Sequence, residues 1–151
     1  MLKTVLDTNV FVSSLLVKTG LLAQMLDAWR ERQYLLVIFP SILSEIIATL
    51  DYCRFAFEPR IRHEYAISDQ DVEQLVAPVE HDALVVPGDA DVAGSIPQDP
   101  ADERVLACAL DAQADLIVSG DRHLLSLGAY QGIPILTARQ FLERVAEEPS
   151  D

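Results

Sequence analysis

The sequence predicts an α/β fold built on a parallel sheet, and three observations carry that prediction. Short apolar runs recur at residues 2–6, 34–39, 116–118 and 133–136. Between them lie segments whose apolar residues repeat at helical spacing. The chain has 151 residues, half of them hydrophobic, which suffices for one ordinary core without disulfide or metal staples. Strands that alternate with helices are covered on both faces, and such strands pair in parallel.

Each element follows from its residues. Leu2-Lys3-Thr4-Val5-Leu6 reads as a strand that stops at Asp7, with no signal-peptide layout. Leu21 to Arg32 is a helix with Leu21, Leu22, Met25, Leu26 and Trp29 on one face. Tyr34 to Phe39 is rich in β-branched and aromatic residues and predicts a buried strand. Pro40-Ser41 opens a helix through Leu50, with Ile42, Leu43, Ile46, Ile47 and Leu50 inward. Ser68-x-x-Asp71 starts another, leading into Val72, Leu75 and Val76, and Leu84-Val85-Val86 is a short strand ended by Pro87-Gly88.

The second half repeats the alternation. Residues 87–101 are a loop rich in Gly, Pro and Asp, and Asp102 to Ala112 is a helix with Val105, Leu106, Ala109 and Leu110 inward. Leu116-Ile117-Val118 is a buried strand followed by Ser119-Gly120-Asp121. Ile133-Pro134-Ile135-Leu136 is the last strand, and its proline favours a sheet edge. Thr137-x-x-Gln140 is a capping box that opens the final helix. Residues 1–146 are expected to form one domain, with 147–151 a frayed tail.

Composition restricts function. The net charge of −13 argues against indiscriminate nucleic-acid binding, which needs a basic surface. A site for divalent cations must itself be acidic, however, and net charge does not describe distribution. Cys53 and Cys108 are too far apart for a C-x-x-C motif and suit a reducing compartment. No apolar run approaches the roughly 18 residues of a membrane span, so a cytoplasmic location is expected.

Functional sites on parallel sheets lie beyond the carboxyl ends of the strands. Asp7 and Asp121 each directly follow a strand, Glu45 lies about one turn into the helix after the second strand, and Asp102 opens a helix returning to the sheet. Neighbouring strand ends lie about 5 Å apart, so Asp7 and Asp121 come close if their strands pair. Each acid also has a purely structural role open to it. Asp7 and Asp121 suit caps or turns, Asp102 complements a helix dipole, and Glu45 suits a solvated face. Taken together they would repel, and a dication relieves that repulsion. Oxygen-only ligands suit Mg²⁺ or Mn²⁺, which activate water for phosphodiester hydrolysis without a nucleophilic side chain.

The residues around these acids form an ordered set of motifs. Val5-Leu6-Asp7-Thr8-Asn9-Val10 resembles the opening motif of PIN-domain proteins, and Pro40-Ser41-x-x-x-Glu45 the second. Asp99-Pro100-Ala101-Asp102-Glu103-Arg104-Val105-Leu106 resembles the third, and Leu116-Ile117-Val118-Ser119-Gly120-Asp121-Arg122-His123-Leu124-Leu125 the fourth. Ile133 to Thr137 and Phe141-Leu142 match the closing strand and helix, so the resemblance spans nearly the whole chain. It implies a three-layer α/β/α fold and a catalytic metal site formed by Asp7, Glu45, Asp102 and Asp121 with Mg²⁺ or Mn²⁺. The implied activity is ribonucleolytic. The nearest resemblance is to VapC-like toxins, which implies a cognate antitoxin and a homodimer.

Further positions are expected to assist. Thr8, Asn9, Ser119 and Asp99 are placed to hydrogen-bond the ligating carboxylates or add charge near an ion, while Thr8, Asn9 and Ser119 equally suit helix-start or turn chemistry. Arg54, Arg60 and Arg62 interleave with Tyr52, Phe55, Phe57 and Tyr65, a pattern that grips single-stranded RNA or simply packs a helix. Arg122 and His123 are placed to meet a phosphate, or His123 caps a short helix. Two other readings stand beside the ribonuclease. One is a catalytically silent PIN-like module that binds RNA or protein. The other is an Asp-nucleophile phosphatase, which gives Glu45 no role and has Asn9 where many such enzymes carry a second Asp.

Overall fold

The sheet has six strands in the order β3-β2-β1-β4-β6-β5. In this computed structural model the described residues are 2–7, 10, 21–40, 44, 45, 48, 77, 81–96 and 103–147. Their elements, in chain order, are β1 (Lys3–Leu6), α1 (Leu21–Arg30), β2 (Leu35–Ile38), β3 (Leu84–Val85), α2 (Glu103–Ala112) and β4 (Leu116–Val118). Then follow α3 (Arg122–Leu127), β5 (Ala129–Tyr130), β6 (Ile133–Leu136) and α4 (Ala138–Glu147). The basic and aromatic stretch at 52–65 and the expected helix from Ser68 through Val76 lie outside the described residues, and of the expected helix after Pro40 only residues 44, 45 and 48 are described, all helical.

The sheet is mostly parallel. β1 pairs in parallel with β2 on one side and β4 on the other, with Leu6 opposite Val118. Both neighbours have helical cover, and the strands are correspondingly apolar: Val5, Leu6, Leu36, Val37, Ile117 and Val118 are all buried. α2 packs across β1, β2 and β4, while α1 packs on α4 and α4 reaches β6. The architecture is a three-layer α/β/α fold. Tyr34 joins three of its parts: it is buried just before β2, its hydroxyl donates to Met25 O at 2.9 Å, and its ring meets Phe141 of α4 edge-on at 4.8 Å. Among the described residues no helix is long and apolar enough to cross a membrane.

Several expectations need correction. β6 is not an edge strand, because the two-residue strand β5 pairs antiparallel outside it. Pro134 is tolerated because the parallel ladder with β4 begins one residue later, at Ile135 opposite Ile117. The hairpin turn is Gln131-Gly132, both with positive φ (48° and 83°), the backbone of a type I′ turn. α1 ends at Arg30 rather than Arg32. Arg32 itself has φ 60° and its amide donates to Trp29 O, while Gln33 N donates to Ala28 O, a Schellman stop without glycine. Val86 lies beyond β3, and α4 runs as far as Glu147.

Candidate functional site

Strand pairing sets the site. Because Leu6 lies opposite Val118, the residues that follow them emerge side by side at the carboxyl edge of the sheet. Asp7 continues the ladder by one bond, its amide donating to Val118 O at 3.0 Å, and its own carbonyl accepts from Val10 N at 2.9 Å. The Asp7 side chain is 7% exposed, an unusual place for a carboxylate.

Ser119 links the two strand ends. Its hydroxyl donates to Asp7 Oδ2 at 2.9 Å and accepts from the Asp121 amide at 2.9 Å. Asp121 Oδ1 in turn accepts from His123 N at 2.7 Å and Leu124 N at 3.4 Å, which makes it the N-cap of α3. The capping role expected as an alternative for Asp121 is therefore real, and the cap is Asp121 rather than His123. That cap uses Oδ1 and fixes the carboxylate at the sheet edge. Asp7, Ser119 and Asp121 thus form one hydrogen-bonded chain across the ends of β1 and β4.

Glu45 lies in the helical segment after β2, the other neighbour of β1. Its Oε1 accepts from Arg104 Nη1 at 2.5 Å. Arg104 also lies over the Phe39 ring, 5.1 Å from the centroid, at the end of β2. Asp102 lies outside the described residues, as do Thr8, Asn9, Asp99, Arg54, Arg60 and Arg62. Glu103, next to Asp102, begins α2 and fastens the preceding loop: its Oε1 accepts from Gly94 N and Ile96 N, both at 3.1 Å. Arg122 is exposed and His123 partly exposed on the first turn of α3.

Asp7 and Asp121 offer oxygen donors only, the chemistry of a hard dication rather than of zinc or copper. The described residues do not on their own include three acidic, histidine or cysteine side chains grouped to hold an ion. Arg104 is the residue that sequence reading passed over. Its signal was a basic side chain in the first turn of a helix, where the dipole disfavours a cation unless another group compensates.

Residues 3–123 match the PIN domain, and the chain belongs to that family. PIN domains are generally metal-dependent nucleases, often found in toxin–antitoxin systems, and they typically use divalent metals. The chain is also similar to an uncharacterised protein of Methanocaldococcus jannaschii, 25% identical over 126 residues, which covers 83% of this chain and 75% of that protein.

Proposed function

We propose that this protein is a metal-dependent endoribonuclease whose Asp7, Glu45, Asp102 and Asp121 hold Mg²⁺ or Mn²⁺ and serve as its catalytic residues. The observation that carries the reading is the buried Asp7 carboxylate at the carboxyl edge of β1, joined through Ser119 to Asp121 at the end of β4. A bound dication lowers the pKa of a water and neutralises charge developing on the phosphodiester oxygens. The protein's part is orientation. Ser119 holds Asp7 Oδ2, and the start of α3 holds Asp121 through its cap. Rigid placement of ligands by their neighbours is what such a site requires. Thr8, Asn9 and Asp99 would add to the same shell, and Arg122 and His123 flank the Asp121 end for RNA contact.

On this reading residues 1–146 form one nuclease domain of a cytoplasmic toxin. It would be restrained by a cognate antitoxin and would form a homodimer. The test is cleavage of a mixed set of structured RNAs by purified protein with Mn²⁺, with Mg²⁺ and with chelator, beside Asp7→Asn. That substitution keeps the shape and removes the charge, so cleavage should vanish while the fold persists. Equal turnover in the variant refutes the site. Wild type that binds metal yet cuts nothing refutes the ribonuclease and favours a binding module.

A further inference from the structure

Arg104 and Glu45 make a contact whose purpose is not stability. Their side chains are 50% and 40% exposed, and an ion pair so solvated contributes little to folding. What the contacts do is fix a guanidinium. Glu45 Oε1 accepts from Nη1, and the guanidinium carbon lies over the Phe39 ring, 5.1 Å from its centroid. Phe39 directly follows β2, and β2 pairs with β1, at whose end Asp7 lies. Arg104 is therefore a pinned cation on the β2 side of the candidate site.

A guanidinium carries five N–H donors in a planar fork, and one contact through Nη1 leaves most of the fork facing elsewhere. That fork matches the geometry of a phosphate. The chain as a whole carries −13 and repels a polyanion, so attraction must come from cations placed at the site. We propose that Arg104 is a substrate-binding residue that takes an RNA backbone phosphate on the β2 side of the site, with Phe39 and Glu45 holding its guanidinium in place. The proposal rests on the ribonuclease reading above.

The experiment is steady-state cleavage of a fluorescein-labelled, single-stranded RNA of mixed sequence by wild type, Arg104→Lys and Arg104→Gln. Mn²⁺ binding by each protein without RNA is measured by calorimetry alongside. Arg104→Gln should raise KM about tenfold and change kcat by less than about twofold, the signature of lost uniform binding. Arg104→Lys keeps the charge but not the fork and should recover part of that loss. Mn²⁺ binding should not weaken, because a neighbouring positive charge has been removed. An unchanged KM overturns the proposal. So does a fall in kcat accompanied by weaker Mn²⁺ binding, which would make Arg104 a positioning residue for Glu45 alone. Wild type that cuts no RNA removes the ribonuclease reading itself, whereas active wild type with an unchanged KM in Arg104→Gln removes this proposal only.

Discussion

Replacing Ser119 by Ala removes one buried hydroxyl that serves two partners. Ser119 is 1% exposed, its hydroxyl donating to Asp7 Oδ2 and accepting from the Asp121 amide, both at 2.9 Å. A hydrogen bond to a charged group contributes about 1.5–3 kcal/mol and one to a neutral amide about 1 kcal/mol, so Ser119→Ala should cost about 2–4 kcal/mol. For a domain of this size the melting temperature should fall by roughly 4–16 °C. Urea unfolding in chelator, followed by the fluorescence of the single tryptophan, Trp29, reads the loss directly, because Trp29 is buried against the core. A double-mutant cycle with Asp7→Ala should return a coupling of about 1–2 kcal/mol between the two side chains. A loss below about 0.5 kcal/mol, or a strictly additive cycle, would refute the claim that this hydroxyl couples the strand ends.

Two further predictions concern ions and pH. If the proposed carboxylates share a dication, Mg²⁺ or Mn²⁺ at a hundred times its Kd should stabilise the fold by about 2.7 kcal/mol, readable as a raised melting temperature; no shift at saturating metal, with the same buffer and salt, would count against a preformed site. Burial, reinforced by Asp111, pushes the Cys108 thiol from its ordinary 9.0 up to about 12, and burial likewise raises the Tyr34 phenol. The unfolded chain therefore releases a proton near pH 9 that the folded chain keeps, so the contribution of Cys108 is intact below that pH and declines as pH rises towards 12. Urea midpoints between pH 8 and 10.5 should fall more steeply for wild type than for Cys108→Ala, and parallel profiles would contradict the assignment.

The sequence was most legible where a single local rule governed. Four apolar runs became strands, and the capping box at Thr137 and Gln140 closes reciprocally, with Thr137 N donating to Gln140 Oε1 at 2.9 Å and Gln140 N to Thr137 Oγ1 at 3.2 Å. It was least legible where special backbone geometry fell on ordinary residues. Arg32 and Gln113 take left-handed conformations at helix ends without glycine, and a Gln131-Gly132 turn makes a hairpin where Asn-Gly would have announced one. At the candidate site, the order of carboxylates along the chain was readable, and Ser119 was noticed as a helper. The Ser119 partnership with Asp7 was not, because it depends on β1 pairing with β4, a matter of topology rather than local pattern. The Glu45–Arg104 contact was hidden for the same reason: it joins residues 59 apart.

The pairing of β1 with β4 also places a clock on synthesis. Asp7 and Ser119 are separated by 112 residues, so the hydrogen bond that ties the end of the first strand to the fourth forms only after β4 has been made. At ribosomal rates of about 5–20 residues per second, that wait is roughly 6–22 s. Such long-range closure also slows folding of the released chain. A nascent or truncated chain that stops short of β4 lacks the strand end that orients Asp7. The proposed chemistry is therefore withheld until most of the polypeptide has been made, a delay set by connectivity alone.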